Sequence, residues 1–271
     1  MKTVVITGST RGIGKGMARE FLKRGHNVVV SGRSQAVTLL AASELEKAAT
    51  GGAKVLAVGC DVTDANQVQG LWDQAKGNFG TVDIWINNAG MSNTRFPIGR
   101  LPQDEVEAVI RTNMLGTMYG SKTALAGMRE QGHGAIYNFE GFGSNGFKNP
   151  GMSLYGATKF AITYFTKALI KETQGGPVRV GYMSPGIVIT DLSTRDKTKM
   201  PPQRWAFVVK VYNILADRVE TVTPWLVEKV LADRGHGSRI AWLTRGKSLR
   251  RFLGARFKPP GNRFPELLQA G

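Results

Sequence analysis

Two residues one helical turn apart carry the most suggestive chemistry in this chain: Tyr155 and Lys159, in the run Tyr155-Gly-Ala-Thr-Lys159. On a helix, positions four apart share a face, so a phenol and an ammonium here become neighbours. A free phenol titrates near pH 10, about three units too high to exchange protons readily at neutrality, and an adjacent cation favours phenolate. The pair is then a usable acid. An isolated Y-x-x-x-K more often marks a packed tyrosine and a solvated lysine, so the elements around it must decide.

Those elements begin at the amino end. Val4-Val5-Ile6 is a short apolar strand that runs into Thr7-Gly8-Ser9-Thr10-Arg11-Gly12-Ile13-Gly14. Ile13, Met17 and Phe21 then recur at four-residue intervals among Lys15, Arg19, Glu20 and Lys23, which predicts an amphipathic helix. A strand, a glycine turn and a helix start in this order place unpaired backbone N–H groups where a pyrophosphate could sit. The second strand, Asn27-Val28-Val29-Val30-Ser31, ends in Gly32-Arg33-Ser34, with no acid to hold a ribose 2′-hydroxyl. Arg33 offers a forked cation suited to a 2′-phosphate, and Arg11 could supply a second, which points to NADP unless both arginines are simply solvated. Asp61 and Val62 follow a third strand over Lys54 to Gly59. Asp61 could accept from an adenine amino group or cap the helix that begins near Asp64. Val82 to Ile86 is a fourth strand, with Asn87-Asn88-Ala89-Gly90 at its carboxyl end, where the crevice of an open α/β sheet binds ligands.

Composition bounds the rest. A chain of 271 residues with 42% hydrophobic content can bury one good core, and its alternating strands and helices predict one α/β domain over residues 1–245. Cys60 is the only cysteine, so a disulfide framework is excluded and a buried structural thiol is expected. No metal site is expected. His26 reads as a turn residue. No apolar run reaches the roughly 18 residues that span a bilayer. With its first strand starting at Thr3, the chain is expected to be a prokaryotic cytoplasmic protein, at most peripheral to a membrane, or a plant chloroplast protein already processed.

Four motifs in order then identify a resemblance. T-G-x-x-x-G-x-G from Thr7 to Gly14, N-N-A-G from Asn87 to Gly90, Tyr155 with Lys159, and Ser184-Pro185-Gly186 together resemble the short-chain dehydrogenases/reductases. The resemblance implies a single doubly wound Rossmann-type domain with a seven-stranded parallel sheet. It implies cofactor contacts from Gly8, Ser9, Thr10, Arg11, Gly12, Ile13 and Gly14, from Arg33, Ser34, Asp61 and Val62, and from Asn88, Ala89 and Gly90. Further contacts are expected from Tyr155, Lys159, Pro185, Gly186 and Thr190. Tyr155 would donate a proton to a carbonyl oxygen, Lys159 would lower the tyrosine pKa and hold the nicotinamide ribose, and Asn113 would support a relay water. The family's catalytic serine would fall near Gly141, so Ser144 becomes the candidate that orients the carbonyl, with a backbone N–H of the Gly141-Phe142-Gly143 turn as its substitute. Glu140 is expected to hold this loop by accepting backbone N–H bonds.

The run Asn138-Phe-Glu-Gly-Phe-Gly-Ser144 narrows the likeness to the chlorophyll(ide) b reductase branch, whose loop reads N-x-D-G-x-G-S. Trp225-Leu226-Val227 and Trp242-Leu243-Thr244 extend it. That branch implies NADPH-dependent reduction of the 7-formyl group of chlorophyll b, or of its phytol-free relative, to hydroxymethyl, and a homo-oligomer. Reduction of another bulky ketone, aldehyde or 3-oxoacyl thioester is the alternative within enzymes, and a non-catalytic NADP-binding regulatory protein the alternative outside them.

Residues 191–223 are expected to form a substrate lid. Trp205, Phe207, Val208, Val211 and Tyr212 among lysines and arginines suit a large flat tetrapyrrole, or else an ordinary amphipathic helix packed on the sheet. The remaining residues, 246–271, form a basic extension. Of a formal net charge of +16, eight cations lie between Arg239 and Arg263 with no acid among them. Leu249, Phe252, Leu253 and Phe257 are interspersed, so the tail could rest on an anionic membrane surface or remain solvated. Nucleic acid would be attracted only nonspecifically, for no recognition motif accompanies the charge.

Overall fold

A computed structural model describes residues 1–268. The last three residues of the basic extension lie outside it. Seven strands form one parallel sheet in the order β3-β2-β1-β4-β5-β6-β9. They are β1 (Thr3–Ile6), β2 (Asn27–Gly32), β3 (Val55–Gly59), β4 (Ile84–Asn87), β5 (Gly134–Phe139), β6 (Val178–Ser184) and β9 (Arg239–Ala241). The seven-stranded doubly wound sheet expected from the sequence is present.

Strand alternation builds the core on both faces. Val4, Ile6, Val28, Val30, Ile84, Ile86 and Tyr137 point to one side, where Met17, Phe21, Leu45, Leu226 and Val230 close over them. Those side chains come from α1 (Gly12–Leu22), α2 (Gln35–Glu46) and α9 (Val219–Ala232). Val5, Val29, Trp85, Ile136 and Val180 point to the other side, against Leu71, Trp72, Met128 and Leu169. These belong to α3 (Ala65–Phe79), α5 (Gly116–Gln131) and α6 (Ser153–Glu172). Cys60 is buried there, and burial pushes its thiol up to about 12, as a structural cysteine requires.

The strand order reverses between β1 and β4, so the chain leaves these neighbours in opposite directions and opens a crevice at their carboxyl ends. Past it, α4 (Gln103–Ile110) runs through a π-helical turn, Arg111–Leu115, into α5. The extra residue of such a turn re-aims side chains, and Asn113 lies within this one.

Two further strands frame the segment expected to cover substrate. β7 (Val188–Ile189) pairs in parallel with β8 (Asp217–Arg218), Val188 opposite Asp217, which draws together the two ends of the intervening excursion. That excursion carries α7 (Asp191–Thr194) and α8 (Pro202–Leu215). Trp205, Val209 and Tyr212 of α8 are buried, and they pack with Phe264 and Leu267 of the tail. The tail itself contains α10 (Arg245–Phe257). Among the described residues no helix is long and apolar enough to cross a membrane.

Candidate active site

The crevice is lined first by the glycine turn. Gly8 and Gly12 hold φ of 63° and 56°, conformations that side chains disfavour. A Cβ on Gly8 would lie 2.8 Å from Ala89 Cα, and one on Gly14 would lie 2.5 Å from Asn88 Nδ2. The turn and the loop after β4 therefore touch, backbone to backbone. Asn88 fastens them by donating to the carbonyls of Thr7 and Gly8, both at 2.9 Å, while Thr7 Oγ1 accepts from the amides of Asn88 and Ala89. Gly12 begins α1, and its N-cap, Arg11, has no side-chain cap bond. Its first-turn amides thus have no side-chain cap, and an anion would be favoured at this end of the helix.

The expected phosphate ligands lie at this end. Arg33 and Ser34 are exposed just past β2, and Ser34 caps α2 by accepting from Val37 N at 3.4 Å. Arg11 is also exposed, 3.4 Å from Asp191. Thr190 caps α7 through a capping box with Ser193, and its methyl would lie 3.5 Å from a Cβ placed on Gly12. The β7 end thus reaches the glycine turn. Pro185 and Gly186 precede it, Gly186 at φ 74° with Leu243 packed against its α-carbon face. Buried Val62 packs on the start of α5, where a Cβ on Gly116 would meet it at 2.6 Å. Asp61 does not cap α3, as one of its two expected roles required. Asp64 does, accepting from the amides of Asn66 and Gln67, while Asp61 closes its own turn through Thr63 N.

On the other wall, α6 presents Tyr155 and Lys159. The phenol is half-buried and the ammonium buried, with Nζ 5.8 Å from the centre of the tyrosine ring. Lys159 Nζ donates to Phe139 O at 3.2 Å and would lie 3.7 Å from a Cβ on Gly90. The ammonium thus faces the side of Gly90 on which a side chain would project. Burial pushes the phenol up to about 12, against the lowering expected from Lys159. Burial pushes the ammonium down to about 8, against the opposing pull of the Glu140 carboxylate.

Gly141 lies directly beneath the phenol. A Cβ there would fall 2.5 Å from Tyr155 Oη and 3.0 Å from Lys159 Cγ. A serine at this position would collide with the pair it is meant to assist. Ser144, the candidate in its stead, is buried and holds the loop together: its hydroxyl accepts from Gly141 N at 2.9 Å and donates to Lys159 O at 3.3 Å. Asn113 is fully engaged as well. Its side chain accepts from Met91 N at 2.9 Å and donates to Met91 O and to Thr158 Oγ1, while its carbonyl accepts from Thr117 Oγ1. It pins the loop after β4 to α6, one residue from Lys159.

Glu140 differs from expectation. Its buried carboxylate accepts no backbone N–H among the described bonds; Arg239 donates to Oε2 from Nε at 3.0 Å and from Nη2 at 2.8 Å. One of the eight tail-region cations thus belongs to the active-site loop. Sequence reasoning also missed Asn93. Its Oδ1 accepts from Tyr155 N at 3.0 Å and its Nδ2 donates to Gly151 O at 3.0 Å, so it sets the first turn of α6. A polar residue in a loop gives no signal of a partner so distant in the chain.

Arginines tie residues 191–216 to the loop after β4 and to α4. Arg195 donates to Ser92 O and, at 2.7 Å, to Glu105 Oε1, which also accepts from Thr94 N. Arg95 reaches Tyr212 Oη at 3.2 Å, and Asp196 accepts from Arg95 N. α8 packs on Phe264 and Leu267 of the tail and on Ile187 and Ile189 at β7.

The chain that carries this arrangement is similar to known proteins. A family model described as short chain dehydrogenase matches residues 2–201. A probable chlorophyll(ide) b reductase of the chloroplast from Oryza sativa subsp. japonica is 34% identical over 90% of this chain. The match covers 50% of that protein, so the chain spans about half its length. A chloroplast chlorophyll(ide) b reductase from Arabidopsis thaliana is 38% identical over 87% of this chain and 67% of its own. The crystal structure of a short-chain type dehydrogenase/reductase from Mycobacterium marinum superposes with a TM-score of 0.78 at 27% identity, covering 91% of this chain and 95% of the other. The chain belongs to the short chain dehydrogenase family and resembles its chlorophyll(ide) b reductase branch.

Proposed function

We propose that this chain is an NADPH-dependent carbonyl reductase whose substrate is the formyl group of chlorophyll(ide) b or a closely related tetrapyrrole, reduced to hydroxymethyl. The observation that carries the reading is the pairing of Tyr155 and buried Lys159 on α6, Nζ 5.8 Å from the ring centre, on the side where a Gly90 side chain would project toward the ammonium. The likeness to chlorophyll(ide) b reductases over most of the chain supports the substrate class.

The glycine turn fits a dinucleotide: at Gly8 and Gly14 side chains are excluded by their neighbours, and the free amides of α1 begin just beyond. When bound, the dinucleotide would supply the hydride. Gly8 to Gly14 would hold its pyrophosphate, and Asn88, Ala89 and Gly90 would line its path, with Thr190, Pro185 and Gly186 on the facing side. Arg33 and Ser34, with no acid in the first turn of α2, favour a 2′-phosphate over a free hydroxyl.

The protein's own task is the proton. As the carbonyl oxygen gains negative charge, Tyr155 Oη donates its proton to it, and Lys159 stabilises the phenolate left behind. Asn113 keeps the Met91 loop and Thr158 in register so that this pair meets the substrate. Ser144 holds Gly141 and Lys159 O together, and we assign it to shaping the carbonyl site from one bond away.

An NADPH-oxidation assay with chlorophyllide b beside simple aldehydes, β-ketoacyl thioesters and steroids tests the proposal. Preferential turnover of chlorophyllide b, with a hydroxymethyl product, is expected. Turnover of a thioester or steroid with none of chlorophyllide b would overturn the substrate assignment.

A further inference from the structure

The helix α10 is inside out. A surface helix normally buries its apolar stripe and turns its charges to water. Here Leu249, Phe252, Leu253 and Phe257 are 62%, 46%, 53% and 84% exposed, and no residue of α10 is buried. Their spacing places them on one side of the helix. The opposite side is fastened to the protein by cations. Lys247 Nζ sits 3.3 Å from the centre of the Trp242 ring, and Arg251 donates to Leu215 O at 2.8 Å and to Asp217 Oδ1 at 3.2 Å. Asp217 is buried and also accepts from Trp242 Nε1 and from Arg263. α10 is therefore held in one orientation by specific bonds, and that orientation turns its apolar residues outward.

The flanking charge says what covers them. Of the eight cations between Arg239 and Arg263, four are taken up internally: Arg239 by Glu140, Lys247 by Trp242, and Arg251 and Arg263 by Asp217. The other four, Arg245, Arg250, Arg256 and Lys258, are exposed on or beside α10, with no acid within that stretch of sequence. An apolar stripe bordered by cations and lacking anions complements an anionic bilayer: the side chains enter the acyl boundary while the guanidinium groups meet phosphates. A nucleic acid would use the cations and leave the leucines and phenylalanines in water.

We propose that the outward face of α10 docks this protein onto an anionic lipid surface, with Leu249, Phe252, Leu253 and Phe257 inserted at the interface. Because Arg251 binds the end of α8, the docking face is joined directly to the lid. The inference does not rest on the reductase reading, since it concerns a surface outside the crevice and its test uses neither substrate nor dinucleotide.

The test is flotation of the full chain with vesicles of phosphatidylcholine alone or mixed with phosphatidylglycerol, at low and high salt. The wild-type protein is expected to float with the mixed vesicles only. A Leu249→Gln/Phe252→Gln/Leu253→Gln/Phe257→Gln variant keeps the full charge and alters exposed side chains only, so it should stay folded, as circular dichroism checks. It should lose binding by roughly tenfold or more, because each inserted side chain contributes to interfacial affinity. Equal flotation of this variant would overturn the proposal by reducing the binding to net charge. So would absence of wild-type flotation, or a wild-type oligomer that the variant breaks into monomers while vesicles bind neither form.

Discussion

The backbone of Gly141 runs so close under Tyr155 that a Cβ at this position would stand 2.5 Å from the phenol oxygen. The position where the family's serine was expected is thus closed to any side chain in the present loop. Gly141→Ser should therefore displace the phenol rather than add a helpful hydroxyl. We expect kcat to fall by about ten- to a hundredfold, in keeping with the sensitivity of catalysis to small misplacements, while the melting temperature changes little. A variant as active as the wild type would show that the loop can make room.

Lys159 ties the rate to pH. Buried, it titrates near 8, below the ordinary lysine value of 10.5. Below that pH its charge assists proton release from Tyr155; above it the charge is lost while the phenol, held up to about 12, keeps its proton. Carbonyl reduction should accordingly decline as pH rises through about 8. Glu140 opposes the lowering, so Glu140→Gln should move the decline to lower pH, which a pH profile of kcat/KM reads directly. The stability term has its own sign. A lysine whose folded pKa lies below its unfolded value destabilises fully at low pH, and that penalty is relieved between about 8 and 10.5.

Arg33 should set dinucleotide preference. Arg33→Ser removes the forked cation beside Ser34 and the start of α2, and a charge-assisted bond is worth about 1.5–3 kcal/mol. KM for NADPH is expected to rise by roughly tenfold to a hundredfold with KM for NADH unchanged. An equal loss with both dinucleotides would assign Arg33 to structure instead.

Asp217 of β8 joins Trp242 to Arg251 and Arg263 of the tail. Burial pushes its carboxyl up, but the bonds from Arg251, Trp242 and Arg263 win and hold it below the usual range. Asp217→Ala would strand these donors, two of them on partly exposed arginines, at a cost of roughly 2–3 kcal/mol. Chemical denaturation should show this loss, and limited proteolysis should cut first in the tail. Unchanged stability would mean that Phe264 and Leu267 hold the tail unaided.

What the sequence made legible was what local periodicity and short motifs encode. The strands Val4 to Ile6 and Asn27 to Ser31, the glycine turn and the Tyr155–Lys159 pair each depend on neighbours within a few residues. What it hid was long-range pairing. Glu140 and Arg239 are 99 positions apart, and nothing in either local pattern says that they meet. Asn93 as the partner of Tyr155 N, and the β7–β8 ladder that draws residues 188 and 217 together, were hidden for the same reason. The charges of the tail gave no sign of internal partners, yet three of its cations, Lys247, Arg251 and Arg263, are anchors.

The most direct test is a side-by-side assay of the wild type and Tyr155→Phe with NADPH and chlorophyllide b, following formyl loss by absorbance and NADPH binding by fluorescence. The wild type should form the hydroxymethyl product, and the variant should bind NADPH equally well while turning over at least about a hundredfold more slowly. A variant that retains most of the wild-type rate would contradict the assignment of Tyr155 as the proton donor.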